Sequence, residues 1–272
     1  GANNVIIGGE AADALLTGAN NIAIGKGAMT SADGSESQNV AIGVNALEDM
    51  NSDENNHNVA VGYRAASNLT TGAQNTAIGT QAMGLGITTG DNNIAIGNSA
   101  GLYLSSGADN IIIGSYAGDN LQAGARNVAI GYAALSTEDG NGYNVAVGYE
   151  SLKTLNAGAN AYNTAVGYNA GTLMSTGVQN TIIGGQAGDA LTTGSGNVAI
   201  GYDALGAEDA HGRNVAIGHL ALQSQNAGAD AYNVAVGYQA GLTMTTGVEN
   251  TLVGAGSGDA LTIGNYNTTL GA

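Results

Sequence analysis

Few residues in this chain have the reach to do chemistry. There are three histidines (His57, His211 and His219) and no cysteine. The histidines lack the short paired spacing that brings two imidazoles to one zinc ion. With no Cys available, and no Ser set near a recurring His and acid, neither a thiolate nor a triad nucleophile is implied. The run Gly254-Ala255-Gly256-Ser257-Gly258 has the look of a phosphate loop. In a chain with 46 Gly such matches arise by chance, and no helical pattern follows it. The expectation is therefore a non-enzyme, with no catalytic and no cofactor-binding residue.

Acidic loops are the better candidates for ions. Asp53-Glu54, Glu138-Asp139-Gly140-Asn141 and Glu208-Asp209 supply hard oxygen ligands of the kind Ca²⁺ accepts. None follows an EF-hand or a calcium-binding nonapeptide. Solvated surface loops are the preferred reading, with Ca²⁺ the one cofactor these acids would suit. Tyrosine recurs just after a recurring Gly, at Tyr63, Tyr132, Tyr149, Tyr168, Tyr202 and Tyr238. Such a stripe could grip sugar rings. The simpler expectation is that it covers a turn and stiffens it, hydroxyl in water.

Charge narrows the partners. The chain has 21 Asp and Glu against 5 Lys and Arg, a formal net charge of −16. That field repels phosphate backbones and anionic lipid, so nucleic acid is not an expected partner. No apolar run approaches the roughly 20 residues a membrane-spanning helix needs, so membrane insertion by this segment is not expected either. There is no Phe, Trp or Pro, and much of the 43% apolar content is Ala. This is not the material of an ordinary globular core. It is the composition of a regular backbone that demands Gly.

A repeat must position whatever chemistry exists. The pattern Asn, β-branched residue, small or apolar residue, Ile or Val, Gly begins at Asn4 and recurs sixteen times, the last copy starting at Asn267. Of the fifteen spacings between starts, ten are 17 residues, two are 18 and three are 19. A fixed period near 17 residues is the mark of a solenoid. The predicted fold is all-β: a narrow parallel β-solenoid of about sixteen coils, continuous over residues 1–272. Fifteen steps of about 4.8 Å would span roughly 70 Å. The start at Gly1, without Met, suggests a piece of a longer fibrous protein.

Each position of the repeat carries a physical demand. Alternation within Asn-Val-Ala-Ile-Gly is a strand pattern of period two, and β-branched residues suit a packed, pleated surface. The third position is Ala in eleven coils, and Ala also stands three residues after the motif Gly in thirteen of fifteen. Two tiny residues per coil imply a tube too narrow for large side chains at those heights. A second segment such as Ala190-Leu191-Thr192-Thr193 is expected to form a short return strand. Asn at every strand start, as at Asn127, Asn144, Asn180, Asn197 and Asn214, suits an amide ladder up the stack or the turn geometry itself. If the small residues face inward, Val128, Ile130, Ile183, Val198, Ile200, Val215 and Ile217 form part of an apolar ribbon on the outside. Long apolar ribbons mark interfaces, and the expected partner is the chain itself.

A longer period lies on top: residues 127–196 and 197–266 align without gaps as two 70-residue blocks of four coils. Each block closes on a coil rich in apolar residues, Thr181-Ile182-Ile183-Gly184 and Thr251-Leu252-Val253-Gly254.

The run Asn-Val-Ala-Ile-Gly-x-x-Ala, as in Asn127–Ala134 and Asn197–Ala204, resembles the head repeat of YadA-like trimeric autotransporter adhesins. With its Thr-Thr-Gly connectors (Thr70-Thr71-Gly72, Thr88-Thr89-Gly90) the chain also looks like shaft repeats of phage tail fibres and bacterial surface fibres. The resemblance implies a left-handed parallel β-roll and a homotrimer, on a virion appendage or a cell surface, outside the cell. One difference is coil length, since those adhesin heads use shorter coils. The expected function is a structural fibre that spaces or presents a receptor-binding tip. The alternative is an adhesin whose own coils bind a host glycan, matrix or cell-surface receptor. An ice-binding solenoid ranks below both, because it needs an unbroken row of Thr that this chain lacks.

Overall fold

The computed structural model describes every residue except 53–55. The acidic pair Asp53-Glu54 therefore lies outside the described residues. The chain divides into two compact units, Gly1–Gly140 and Asn141–Ala272. Both are parallel β-solenoids, and the described residues hold sixteen strands and no helix.

Every strand is three residues long and coincides with positions two to four of the motif. In the first unit they run from Val5–Ile7 to Val128–Ile130, in the second from Val145–Val147 to Thr268–Leu270. Within each unit consecutive strands pair in parallel and in register. Val198, Ala199 and Ile200 pair with Val215, Ala216 and Ile217. A 19-residue spacing leaves the register intact, since Val215 pairs with Val234 as squarely as Val198 pairs with Val215. The extra residues bulge in the loops, where they cost no ladder bonds.

Alternation decides what faces in. The third-position alanines, among them Ala129, Ala199 and Ala216, are fully buried, and so are Ala134 and Ala204 three residues after the motif Gly. Part of the remaining interior is filled from a column that the repeat pattern does not announce. It stands seven residues after the motif Gly, and in the second unit it reads Leu155, Met174, Leu191, Glu208, Gln225, Met244 and Leu261. The first six of these are 0% exposed, the acid and the amide included.

The motif Gly is required by contact. Gly201 has φ +136°, and a Cβ there would lie 2.4 Å from the carbonyl oxygen of Gly218 in the next coil. No side chain fits at that separation.

Asparagine ties each coil to the next. The backbone N–H of Asn197 donates to Oδ1 of Asn180 at 2.9 Å, and that of Asn214 donates to Oδ1 of Asn197 at 3.0 Å. Asn163 bonds Asn144 in the same way at 3.2 Å, and in the first unit Asn127 bonds Asn110 at 2.9 Å. Meanwhile Nδ2 of Asn180 donates to the carbonyl of Gly194 at 2.9 Å, three residues before Asn197. One buried side chain thus holds both ends of the next coil's turn. Direct amide-to-amide bonds also occur, as from Asn180 Nδ2 to Asn163 Oδ1 at 3.2 Å. Ladder and turn template are one arrangement.

The return strand does not form. Residues 190–193 contain no strand, and the isolated bridge between Leu69 and Thr88 lies outside the sixteen strands. The reason is visible in the hydrogen bonds. The N–H groups of both Ser175 and Thr176 converge on the one carbonyl of Thr192, at 2.7 and 3.1 Å. A ladder distributes its donors over successive carbonyls; this convergence stacks turns instead.

Candidate functional site

The outward side of the strands is the most extended chemically uniform surface. Positions two and four point away from the core, and no charged residue stands at either in any coil. Val128 and Ile130 lie on this side in the first unit; Val198, Ile200, Val215 and Ile217 lie on it in the second, all half-buried. Ile183, directly beside Ile200 in the ladder, is 38% exposed. Thr at position two (Thr164, Thr181, Thr251, Thr268) is the most polar substitution in the second unit.

In the second unit the tyrosine column stacks its rings, whereas Tyr132 of the first unit meets Tyr116 edge-on at 80°. Tyr149 and Tyr168 stack at 5.4 Å between centroids, and Tyr202, His219 and Tyr238 stack in turn at 5.5 and 5.3 Å. His219 takes a place in the row that a search for Tyr alone would miss. The interplanar angles of 10–21° mean that neighbouring rings cover each other's faces. A sugar needs a free face to lie on, so this geometry favours stiffening of the turn over glycan capture. Tyr202 also donates its hydroxyl to Oε1 of Gln186 at 2.7 Å.

Beside that bond lies a shallow polar groove lined by Gln186, Asp189, Asp203, Gly206, Ala207, Gln223 and Ser224. Burial pushes the Asp189 carboxyl above its usual range, and the nearby negative charge of Asp203 adds to the effect.

The acidic loops separate into distinct environments. Asp139 is half-buried while Glu138 is fully buried, and Asp209 is exposed while Glu208 is fully buried. Each glutamate stands in the core column seven residues after the motif Gly, where Leu and Met are the commonest residues, so these are not the solvated surface acids expected from the sequence. Burial pushes the Glu208 carboxyl up, opposed by the backbone N–H and the imidazole of His211. No motif groups His211 with these acids. The signal that could have found it is its place three residues after Glu208, on a tight turn rather than a strand.

No helix of the described residues is long and apolar enough to cross a membrane. No protein-family model matches this chain, and no curated protein matches it. The functional case rests on the geometry of the chain.

Proposed function

We propose that this chain is a structural fibre segment that assembles as a homotrimer through the outward strand face and spaces or presents a binding tip outside the cell, on a virion or cell-surface appendage. The observation that carries the reading is the uncharged Val/Ile face on a chain of net charge −16. Two strongly acidic copies repel each other everywhere except along such a strip. The strip repeats at the coil spacing, so only a partner with the same period can match it side chain for side chain, and another copy of the chain has that period. Burial stabilises by about 25 cal/mol per Å² of apolar surface, and the contributions of many coils add. The threefold number comes from the fibre families the repeat resembles. On this reading the chain performs no catalysis and the Val/Ile face is its working surface.

The test is molar mass by light scattering, on the wild type and on Ile200→Asp. We expect a trimer for the wild type and dissociation for the variant. Gln179→Asp adds the same charge at an exposed position and leaves assembly intact, because the equivalent residue Asp109 already stands in that column. A stable wild-type monomer overturns the proposal.

A further inference from the structure

The second unit holds a side-chain cluster that neither the strand face nor the tyrosine column uses. Glu208, Asp209 and His211 each offer one ligand atom, and these atoms lie within 4.8 Å of one another. Glu208 is 0% exposed, in a column whose neighbour one coil back is the fully buried Leu191. Its Oε1 accepts the backbone N–H of His211 at 3.2 Å. Its Oε2 and the Nδ1 of His211 are both buried without a hydrogen-bond partner.

A carboxylate buried between Leu191 and Gln225 is costly unless something positive meets it. The imidazole comes close, with Nδ1 at 3.5 Å from Glu208 Oε1, but not in hydrogen-bond alignment. That separation has a specific meaning in coordination chemistry. A tetrahedral ion with bonds of about 2.0–2.1 Å to nitrogen and oxygen holds its ligands roughly 3.3–3.5 Å apart. Asp209, exposed beside them, can swing its carboxylate to the same point. A nitrogen donor among two carboxylates suits a borderline ion such as Zn²⁺ better than Ca²⁺, which takes oxygen ligands.

We propose that Glu208, Asp209 and His211 form a divalent transition-metal site of the zinc type, with the remaining position taken by water. The role is structural: the ion neutralises the buried acid and pins the turn that leads into Asn214. The corresponding turn of the preceding block reads Glu138-Asp139-Gly140-Asn141, with Asn in the place of His, so the site is particular to the later block.

The experiment is titration of the chelator-treated full chain with Zn²⁺, followed by calorimetry and by metal analysis after dialysis, with Ca²⁺ in a parallel arm. One Zn²⁺ per chain and a raised melting temperature are expected. His211→Asn borrows the residue of the sister turn, and Glu208→Leu borrows that of the core column, so both variants should fold. Each should weaken Zn²⁺ binding by at least about tenfold, and Glu208→Leu should melt above the metal-free wild type. The proposal is overturned if Zn²⁺ does not bind, if binding survives both variants, or if only Ca²⁺ binds. Absence of binding would leave Glu208 and His211 as a simple ion pair.

Discussion

A methyl group placed on Gly171 would sit 3.1 Å from Cδ1 of Ile182, the large residue that takes the place of Ala in the next strand. Gly188, in the coil of Ile182 itself, faces the same Cδ1, at 3.5 Å. The two glycines occupy a column where other coils carry Leu152, Leu205 and Leu222. Backbone conformation does not explain the exchange. Gly171 and Gly188 have φ of +59° and +50°, and Leu152 and Leu205 adopt +47° and +56° at the same position. Volume explains it: where the strand contributes Ile, the facing turns give up their side chains. Leu252 stands in the same relation to Gly241 and Gly258, at 2.9 and 2.8 Å. The 70-residue period of the sequence is therefore a period of core packing.

This exchange predicts coupling. Ile182→Ala should cost about 2–5 kcal/mol, as large-to-small core changes do. Gly171→Leu alone should overpack the interior and cost about 1–3 kcal/mol. Combined, the two should cost less than their sum by about 0.5–3 kcal/mol. Urea denaturation of the four proteins measures this, and strict additivity would contradict the packing account.

Adjacent glycines should behave in opposite ways. A Cβ on Gly184 would lie 2.4 Å from the carbonyl oxygen of Gly201, at φ +137°, whereas one on Gly185 meets nothing nearer than a Tyr202 ring carbon at 3.6 Å. Gly184→Ala should lower stability by about 3 kcal/mol or more. Gly185→Ala should be neutral, or stabilise by about 0.4–1 kcal/mol through the unfolded chain. Thermal melting of the two single variants distinguishes them.

Asn180→Ala should open the ladder at one rung. It strands the N–H of Asn197 and removes a donor from the carbonyl of Gly194. Each buried group left without its partner costs about 1–3 kcal/mol. Hydrogen exchange at the Asn197 amide should accelerate, and unchanged protection there would show that the side chain is dispensable.

Asp189 sets a pH dependence. Its folded carboxyl titrates above the ordinary value of 3.8, so between that value and the raised one the native state binds more protons than the unfolded chain. Stability then falls as pH rises through the window, and the cost persists at neutral pH. Asp189→Asn should be the more stable protein at pH 7, with the advantage shrinking as acid protonates the wild type. Chemical denaturation across that range checks the sign; an advantage that grew on acidification would refute it.

The strands, their parallel order and the inward turn of the alanines were legible in the sequence because they follow from a repeated local pattern. Ala199 between Val198 and Ile200 can be read as an inward residue from alternation and size alone, and a 17-residue period fixes which residues stack. The motif Gly was legible as a backbone constraint, though not its cause, the carbonyl of the following coil. What the structure decided was everything outside the three-residue strand. Leu191 belongs to the core and not to a return strand, because Ser175 and Thr176 share one carbonyl and bend the chain there. Glu208 looks like a surface acid in the sequence, since charge is usually solvated; its column carries it inside, where it meets His211. Alternation has a period that one chain segment can display. The facing of Ile182 with Gly171, or of Glu208 with His211, depends on how turns close, and turn closure depends on contacts between coils that no single repeat contains.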